Sequence, residues 1–176
     1  MTGGQLKDRR RGSESPRNRI HKKVLIKASA EVVFKALTDA RELSRWFCDR
    51  ATCDAREGGE LVASWKAGKS SRKGRAVITR FIPGGAVDLL WIDDGTGAQE
   101  EGSRHTISYD LRSRSGLTEV VMLDADDSIP DEETFAFLDE GWNSVLFELK
   151  DYCERRERSQ KLRPAPRVPS AHSAID

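Results

Sequence analysis

The chain has 176 residues, of which 37% are hydrophobic and 34% are charged, and its formal net charge is +1. This length suits one domain, or one domain with tails. The sequence contains no run of the ~18 apolar residues that a membrane-spanning helix needs, and no apolar segment follows the arginines near the N-terminus, so we expect no secretory signal.

Both ends of the chain are basic and poor in large apolar residues. Residues 1–19 carry a net charge of +4 and residues 154–176 carry +3, which leaves −6 for the stretch between them. Such segments bury too little apolar surface to offset the entropy lost on ordering. We therefore expect a folded domain over residues 20–154 and disordered tails over 1–19 and 155–176. Their contact with nucleic acid would be weak and electrostatic.

The folded part is predicted to open with a strand and two short helices. Apolar residues alternate with polar ones from Ile20 to Ile26, as in a strand with one polar face. Ser29 is a suitable N-cap, and apolar residues then recur at helical spacing through Thr38. A second short helix is predicted around Arg41–Phe47.

Short segments joined by glycine-containing turns follow, which indicates an antiparallel meander. The acidic runs Asp93–Asp94 and Asp124–Asp127 are interpreted as solvated loops without a metal. The predicted strands are Thr52–Arg56, Leu61–Lys66, Ala76–Ile82, Val87–Ile92, Thr106–Arg112 and Leu117–Leu123.

A long amphipathic helix is predicted to end the folded part. Pro130 and three acidic residues suit its first turn. Gly141 inside it indicates a bend or the close approach of another backbone, and Phe147 falls outside the apolar stripe and should be exposed. Laying the helix across a curled sheet is the simplest way to bury that stripe. The stripe consists of Phe135, Leu138, Trp142, Val145, Leu146, Leu149 and Cys153.

Three blocks of sequence resemble a known family. They are Ala28–Phe47 (ASAEVVFKALTDARELSRWF), residues 53–65 (CDAREGGELVASW) and residues 141–154 (GWNSVLFELKDYCE). In this order and spacing they resemble the SRPBCC proteins related to the C-terminal domain of the heat-shock-protein-90 ATPase activator. The resemblance covers about Ile20–Glu154. It departs from the family pattern at Ala40, where relatives usually have proline.

The resemblance implies an α+β helix-grip fold of the START-like, birch-pollen-allergen-like kind. Its parts would be a curved antiparallel sheet of about six or seven strands, two short helices and a long C-terminal helix across the sheet, with a cavity between helix and sheet. We expect a stand-alone domain of bacterial type without the other domain of the co-chaperone. Activation of a chaperone ATPase is therefore not carried over.

Large side chains on these elements are expected to line the cavity. Aromatic rings provide apolar walls with a few N–H and O–H groups, although each of them would serve equally well as core. The predicted cavity residues are Trp46, Phe47, Trp65, Trp91, Tyr109, Trp142 and Leu146.

No catalytic residue, metal ligand or cofactor site is assigned from the sequence. Cys48 and Cys53 lack a second pair of ligands, and no nucleophile elbow or phosphate-binding loop occurs. The central-strand groups that could act on a substrate are Arg80, Tyr109 and Asp110. Strand alternation places the last two on opposite faces.

Three hypotheses for function follow. The first is a non-enzymatic domain that binds a small hydrophobic ligand or a client protein in the cavity. The second is a polyketide cyclase- or dehydrase-like enzyme that uses the same cavity. The third is an interaction module with a collapsed cavity and an exposed helix face as its partner site.

An odd number of cysteines favours reduced thiols and a cytoplasmic location. The oligomeric state is left open.

Overall fold

A computed structural model describes residues 19–92, 104–126 and 131–162. The predicted tails therefore lie largely outside the described residues, as does the predicted loop at Asp93–Asp94. The elements are β1 (Arg19–Ile26), α1 (Ala30–Thr38), α2 (Ala40–Trp46), β2 (Arg50–Cys53), β3 (Glu60–Ala67), β4 (Ser70–Ile82), β5 (Ala86–Ile92), β6 (Arg104–Arg114), β7 (Leu117–Asp126) and α3 (Glu132–Lys161).

The seven strands form one antiparallel sheet in the order β1-β7-β6-β5-β4-β3-β2. Strands β2 to β7 are a meander in which each strand pairs with the next, and β1 joins the far edge by pairing with β7. The two short helices precede the meander and the long helix follows it. The predicted α+β helix-grip class is thus confirmed.

The N-caps of α1 and α2 determine where each helix begins, and thereby where Trp46 and Phe47 lie at the end of α2. The Ser29 hydroxyl accepts a hydrogen bond from the Val32 amide at the start of α1. The Asp39 carboxylate accepts two, from the amides of Arg41 and Glu42, at the start of α2. Because only Asp39 separates the helices, α2 turns sharply and ends at the sheet with Phe47 as its C-cap.

The core lies between the inner face of the sheet and the helices. Leu61, Ile78 and Met122 are among its fully buried side chains. In α3 the buried residues begin at the midpoint of the helix, whereas Phe147, as predicted, is exposed, with 70% of its surface accessible. The buried residues of α3 are Leu146, Leu149, Tyr152 and Cys153.

Several predicted boundaries were wrong. Strand β2 is Arg50–Cys53 instead of Thr52–Arg56, and β4 begins at Ser70 instead of Ala76. Strand β7 extends to Asp126, because its register with β1 and β6 continues past Leu123. Helix α3 extends to Lys161, so residues 155–161 are helical and the predicted domain end at Glu154 falls inside the helix. The polar residues of this last stretch are held by ion pairs and hydrogen bonds, which a hydrophobicity pattern does not reveal.

Two contacts attach the end of α3 to the rest of the domain. The Arg156 guanidinium lies 2.8 Å from the Glu42 carboxylate of α2. The Glu157 carboxylate accepts hydrogen bonds of 3.2 Å from both the amide and the hydroxyl of Ser29. The end of α3 therefore contributes to the packing of both short helices.

This arrangement predicts different effects for two truncations. A chain of residues 19–162 should unfold at nearly the same temperature as the full chain. A chain that ends at Glu154 should be less stable by about 1–3 kcal/mol, because two charge-assisted contacts are lost. For a protein of this size the melting temperature would fall by about 2–4 °C per kcal/mol. Equal melting temperatures for both truncations, measured by circular dichroism, would contradict a structural role for Arg156 and Glu157.

Candidate functional site

A cleft of about 190 Å³ lies on the inner face of the sheet, between strands β3 to β6 on one side and the C-terminal end of α2 and the first half of α3 on the other. Aromatic rings make up most of its walls, and two basic side chains and a histidine accompany them. Its lining residues are Phe47, Trp65, Arg72, Lys73, Gly74, Trp91, Ile92, His105, Ile107 and Trp142.

Gly74 makes the floor of the cleft possible. It lies inside β4, opposite Ala63 of β3. A Cβ atom at this position would stand 2.8 Å from the Trp91 ring and 3.2 Å from the Trp65 ring. Any side chain here would displace a tryptophan, so the absence of one lets both indoles pack directly over the backbone of β4.

Phe47 is the centre of the aromatic wall. Its ring centroid lies 5.4 Å from that of Trp46, 5.3 Å from that of Trp65 and 6.4 Å from that of Trp91. Edge-to-face and tilted contacts at such distances are favourable beyond the area that they bury. The end of α2 is therefore packed firmly against β3 and β5.

Three of the four indole N–H groups have partners within the protein. Trp46 donates to the Ala36 carbonyl at 2.9 Å, and Trp65 donates to the Phe47 carbonyl at 2.7 Å. Trp142 donates to Oδ2 of Asp124 at 2.8 Å and so joins α3 to β7. The fourth indole, that of Trp91, is only 8% exposed, and its N–H has no hydrogen-bond partner among the described residues.

A polar cluster lies at the α3 end of the cleft, where apolar residues would be expected. His105 of β6 is opposite Trp91 of β5 on one side and Asp126 of β7 on the other. Two residues further along β6, Ile107 is opposite Asp124 of β7. Asp124 and Asp126 are 5% and 2% exposed. Strand alternation places all of these side chains on the inner face.

The environment of Asp124 opposes its ionisation. Burial raises the pKa of this carboxyl group and the charge of Asp126 raises it further, while His105 and the hydrogen bond from Trp142 act in the opposite direction. Burial, together with the charge of Asp124, also raises the pKa of Tyr109. This part of the interior therefore favours the neutral forms of Asp124 and Tyr109.

Three buried polar atoms have no hydrogen-bond partner within the described part of the chain: Trp91 Nε1, His105 Nδ1 and Asp124 Oδ1. All three belong to neighbouring inner-face positions of β5, β6 and β7. An unsatisfied buried polar atom costs about 1–3 kcal/mol. Their occurrence at one place marks this region as a candidate functional site.

Six of the seven predicted cavity residues lie together around this region. Four of them line the cleft, and Trp46 and Tyr109 line a second space of about 30 Å³, which is large enough for one water molecule. Leu146 is buried in the core and lines neither space. The assignment of a ligand to these residues remains a prediction.

Sequence reasoning missed the polar half of the site. The interpretation of Asp124–Asp127 as a solvated loop was wrong for Asp124 and Asp126, because the extended β7 places both on the inner face. No role was assigned to His105 from the sequence. The only available signal was alternation carried past Leu123, which would have aligned Asp124 and Asp126 with the buried face.

Arg80 and Asp110, which were weighed as substrate-handling groups, lie elsewhere. Asp110 is on the outer face of β6, opposite to Tyr109 as predicted. The Arg80 guanidinium lies 2.8 Å from the Asp88 carboxylate and 3.0 Å from that of Asp110. The hydrogen bond to Asp88 is the main cause that raises the Arg80 pKa. This ion-pair group joins β4, β5 and β6 outside the cleft.

Other features of the described residues that could carry chemistry are three cysteines and scattered metal-ligating side chains. Cys48, Cys53 and Cys153 are free thiols, and burial raises the pKa of Cys53 to about 11 and that of Cys153 to about 12. Within residues 19–92, 104–126 and 131–162, no group of three His, Cys, Asp or Glu side chains is arranged to hold a metal ion. None of the described helices combines the length and apolar composition of a membrane span.

The model of the family described as "Activator of Hsp90 ATPase homolog 1-like protein" matches residues 27–154. The resemblance predicted from the sequence is therefore confirmed. No curated protein matches the chain.

Solved structures with the same fold share little sequence with the chain. The Aha1 dimer from Colwellia psychrerythraea is 21% identical, with a TM-score of 0.61 over 77% of this chain and 96% of that one. CalU16 from Micromonospora echinospora is also 21% identical, with a TM-score of 0.57 over 81% and 82%. DynU16, from the dynemicin biosynthetic locus, is 19% identical with a TM-score of 0.65; the match covers 81% of this chain but only 49% of DynU16. At these identities the likeness establishes the fold alone.

The raised pKa of Asp124 predicts how its replacement changes stability with pH. Because the folded-state pKa lies above the unfolded value, the stabilising contribution of the protonated carboxyl is present below about pH 4 and is lost as pH rises through the folded-state pKa. Asp124→Asn keeps an acceptor for Trp142 and cannot ionise. Relative to the parent protein, its stability should therefore rise as pH increases from 4 to 8, because only the parent then carries an ionised carboxylate in this buried position.

Urea unfolding at pH 4 and pH 8 measures this change. Glu119→Gln is the matched control, because Glu119 lies in the same strand with its side chain on the outer face. A difference between Asp124→Asn and the parent protein that stays constant across this pH range would show that Asp124 ionises as easily in the folded state as in the unfolded state.

Proposed function

Because the chain belongs to the family of Activator of Hsp90 ATPase homolog 1-like proteins, we propose that it binds a compact, largely apolar small molecule in the aromatic cleft. The observation that carries the proposal is the cleft itself, about 190 Å³ in volume and walled by Phe47, Trp65, Trp91 and Trp142. A few polar groups among aromatic walls are typical of small-molecule sites.

The volume of the cleft limits the size of the ligand. A cavity of about 150 Å³ with apolar walls holds a benzene molecule, whereas drug-sized ligands occupy pockets of roughly 300–1,000 Å³. A cleft of about 190 Å³ therefore suits one or two fused rings. Flat ring systems would also match the offset and tilted packing of the surrounding aromatic side chains.

The walls are held in place before a ligand arrives. Trp65 and Trp142 are fixed by hydrogen bonds to the backbone of Phe47 and to Asp124. Walls that need no reordering favour affinity, since each immobilised side chain otherwise costs about 0.5–1.5 kcal/mol on binding. The packing thus supports binding of a ligand in a preformed site.

Trp142 gives the sharpest test of this proposal. Deletion of a large aromatic from a closed core costs about 3–5 kcal/mol. Trp142 borders a cleft and lacks packing partners on one side, so Trp142→Ala should cost less than this range. It should also weaken binding of the naphthalene-sized fluorophore 1-naphthylamine about tenfold or more, in a fluorescence titration run beside a denaturant melt.

Phe147→Ala is the matched control for this experiment. Phe147 is an aromatic residue of the same helix, but it is exposed and does not line the cleft. Its replacement should leave dye affinity unchanged. A full core-sized loss of stability in Trp142→Ala, with no dye binding by the parent protein, would contradict the proposal and favour an interaction module.

One observation favours a second candidate function, proton-transfer catalysis on the bound ligand. His105 lines the cleft and lies beside the buried carboxyl groups of Asp124 and Asp126. An imidazole beside carboxyl groups in a cavity is a suitable general base or acid. It could remove a proton from the carbon next to a ligand carbonyl and return one from water.

Exchange of deuterium for hydrogen in an α-deuterated bicyclic ketone, such as 1-tetralone, tests this second candidate. The parent protein should accelerate loss of deuterium above the buffer rate, and His105→Asn should abolish the acceleration. Lys69→Gln, on the exposed β3–β4 hairpin away from the lining residues, is the control. Exchange at the buffer rate, under conditions in which the ketone binds, would exclude His105 as a base for such ligands.

A further inference from the structure

We propose that the outer face of α3 is a self-association surface, on which two copies of the chain pair their α3 helices antiparallel about a two-fold axis beside Phe147. The partner is a second copy of this chain, with apolar contacts at the axis and ionic contacts on both sides of it. The inference goes beyond the proposed function, because this face lies on the opposite side of the helix from Trp142 and the cleft.

The most exposed large apolar side chains share this one helix face. Among the described residues five large hydrophobic side chains are exposed, and the three with the highest exposure are Phe137 at 76%, Phe147 at 70% and Leu162 at 83%. At 3.6 residues per turn, all three fall within one sector of about 80° around the helix axis. Single apolar side chains scattered over a surface are normal, whereas a set that shares one face indicates an interaction surface.

Exposed residues recur along this face at the spacing of a helix contact. From Phe137 to Leu162 they follow one another every three or four positions, as on the face of a helix that packs against another helix. We call this face the outer stripe. Its residues with apolar or charged side chains that matter for pairing are Phe137, Glu140, Phe147, Arg155, Arg158 and Leu162.

The charge of the outer stripe changes sign along the helix. Glu140 lies seven residues before Phe147, and Arg155 lies eight residues after it. A parallel pair of helices would place each of these charges against its own copy, which is repulsive. An antiparallel pair instead places Glu140 of each copy against Arg155 of the other, and opposite charges stabilise and orient paired helices. The outer stripe is therefore complementary to itself in the antiparallel direction.

One register satisfies all of these contacts together. At a rise of 1.5 Å per residue, Glu140 lies about 10.5 Å before Phe147 and Arg155 about 12 Å after it, while Phe137 and Arg158 lie about 15 Å and about 16.5 Å away. A two-fold axis beside Phe147 repeats each contact in both halves of the interface. The two Phe147 rings then stack at the axis, and Arg158 covers the Phe137 ring of the other copy in a cation–π contact.

The remaining polar residues of the face are compatible with this register. Asp151 lies opposite Ser144 of the second copy, so that its charge meets no like charge. Its own ion pair with Arg155, at 2.9 Å, joins two half-exposed side chains and contributes little. Glu140 accepts one hydrogen bond from Asn143 at 2.9 Å, and a carboxylate can accept several. Neither contact prevents Glu140 and Arg155 from pairing between copies.

The length of the contact predicts a weak dimer. Stable interfaces bury about 800 Å² on each partner, and a single pair of helices covers less. Sedimentation velocity of the full chain at low ionic strength, from about 1 μM to about 500 μM, should therefore show a monomer that becomes a dimer as concentration rises. Phe147→Glu should weaken this dimer at least tenfold, because it places two carboxylates at the axis. Ile82→Glu, which replaces an exposed apolar residue of β4, should leave it unchanged.

A charge swap tests the antiparallel register. Glu140→Arg and Arg155→Glu should each weaken the dimer at least threefold, because each opposes like charges across the interface. The double variant Glu140→Arg/Arg155→Glu should restore the affinity of the parent protein, since the exchanged pair again has opposite charges. Arg50→Glu, at an exposed position of β2, is the control for the same change of charge elsewhere.

Each result either supports or overturns the proposal. A monomer at every concentration would overturn it and assign the outer stripe to another occupant, such as the terminal segments of the same chain or a different protein. A dimer that Phe147→Glu and Ile82→Glu affect equally would form through another surface. A double variant as weak as the single ones would exclude antiparallel pairing. All replaced residues are exposed, so circular dichroism should show unchanged folding, and none of these results depends on a ligand in the cleft.

Discussion

The uneven packing of α3 is the constraint on which the cleft depends. The buried side chains of this helix run from Leu146, at its midpoint, to Cys153. Before Leu146 the apolar side chains that pack against the core, Phe135, Leu138 and Trp142, are only partly buried. Polar contacts accompany them, since Lys22 pairs with Asp139 at 2.7 Å and Trp142 donates to Asp124. A helix that was fully buried along its whole length would fill the space above the sheet. The looser packing of the first half leaves the space in which the aromatic rings form a cleft.

The polar cluster shows how this arrangement is maintained and what it costs. Asp124 would be more easily accommodated in a solvated loop, yet it is 5% exposed, and one of its oxygens has no hydrogen-bond partner among the described residues. Together with Trp91 Nε1 and His105 Nδ1, which also have none there, this oxygen represents a stability cost of several kcal/mol by the usual 1–3 kcal/mol for each such atom. Total stability is only about 5–15 kcal/mol. A cost of this size at one place is characteristic of binding and catalytic sites, where a ligand can supply the missing partners.

Sequence patterns predicted the fold well because burial follows regular periods. Alternation and helical spacing identified the order of the elements, and the capping role of Ser29 and the exposure of Phe147 were also correct. The predictions failed where charged residues are buried. Asp124 and Asp126 are in phase with the buried positions of β7, but acidic residues there resemble a polar loop, and it is the pairing with β1 and β6 that shows the strand continuing through them. Such long-range register is not encoded in any local window of sequence.

Three of the four tryptophans are fixed by hydrogen bonds, whereas the indole N–H of Trp91 has no partner among the described residues. Three indole N–H groups donate hydrogen bonds to acceptors within the protein, which fixes the orientation of their rings: those of Trp46, Trp65 and Trp142. The link between α2 and α3 through Glu42, Tyr152 and Arg156 then sets the spacing of the opposite walls. Locked walls can enclose many ring compounds of the right size, so they contribute affinity more than selectivity. Selectivity must come from the polar groups that remain unpaired, since a site built to satisfy a donor rejects ligands that leave it unpaired.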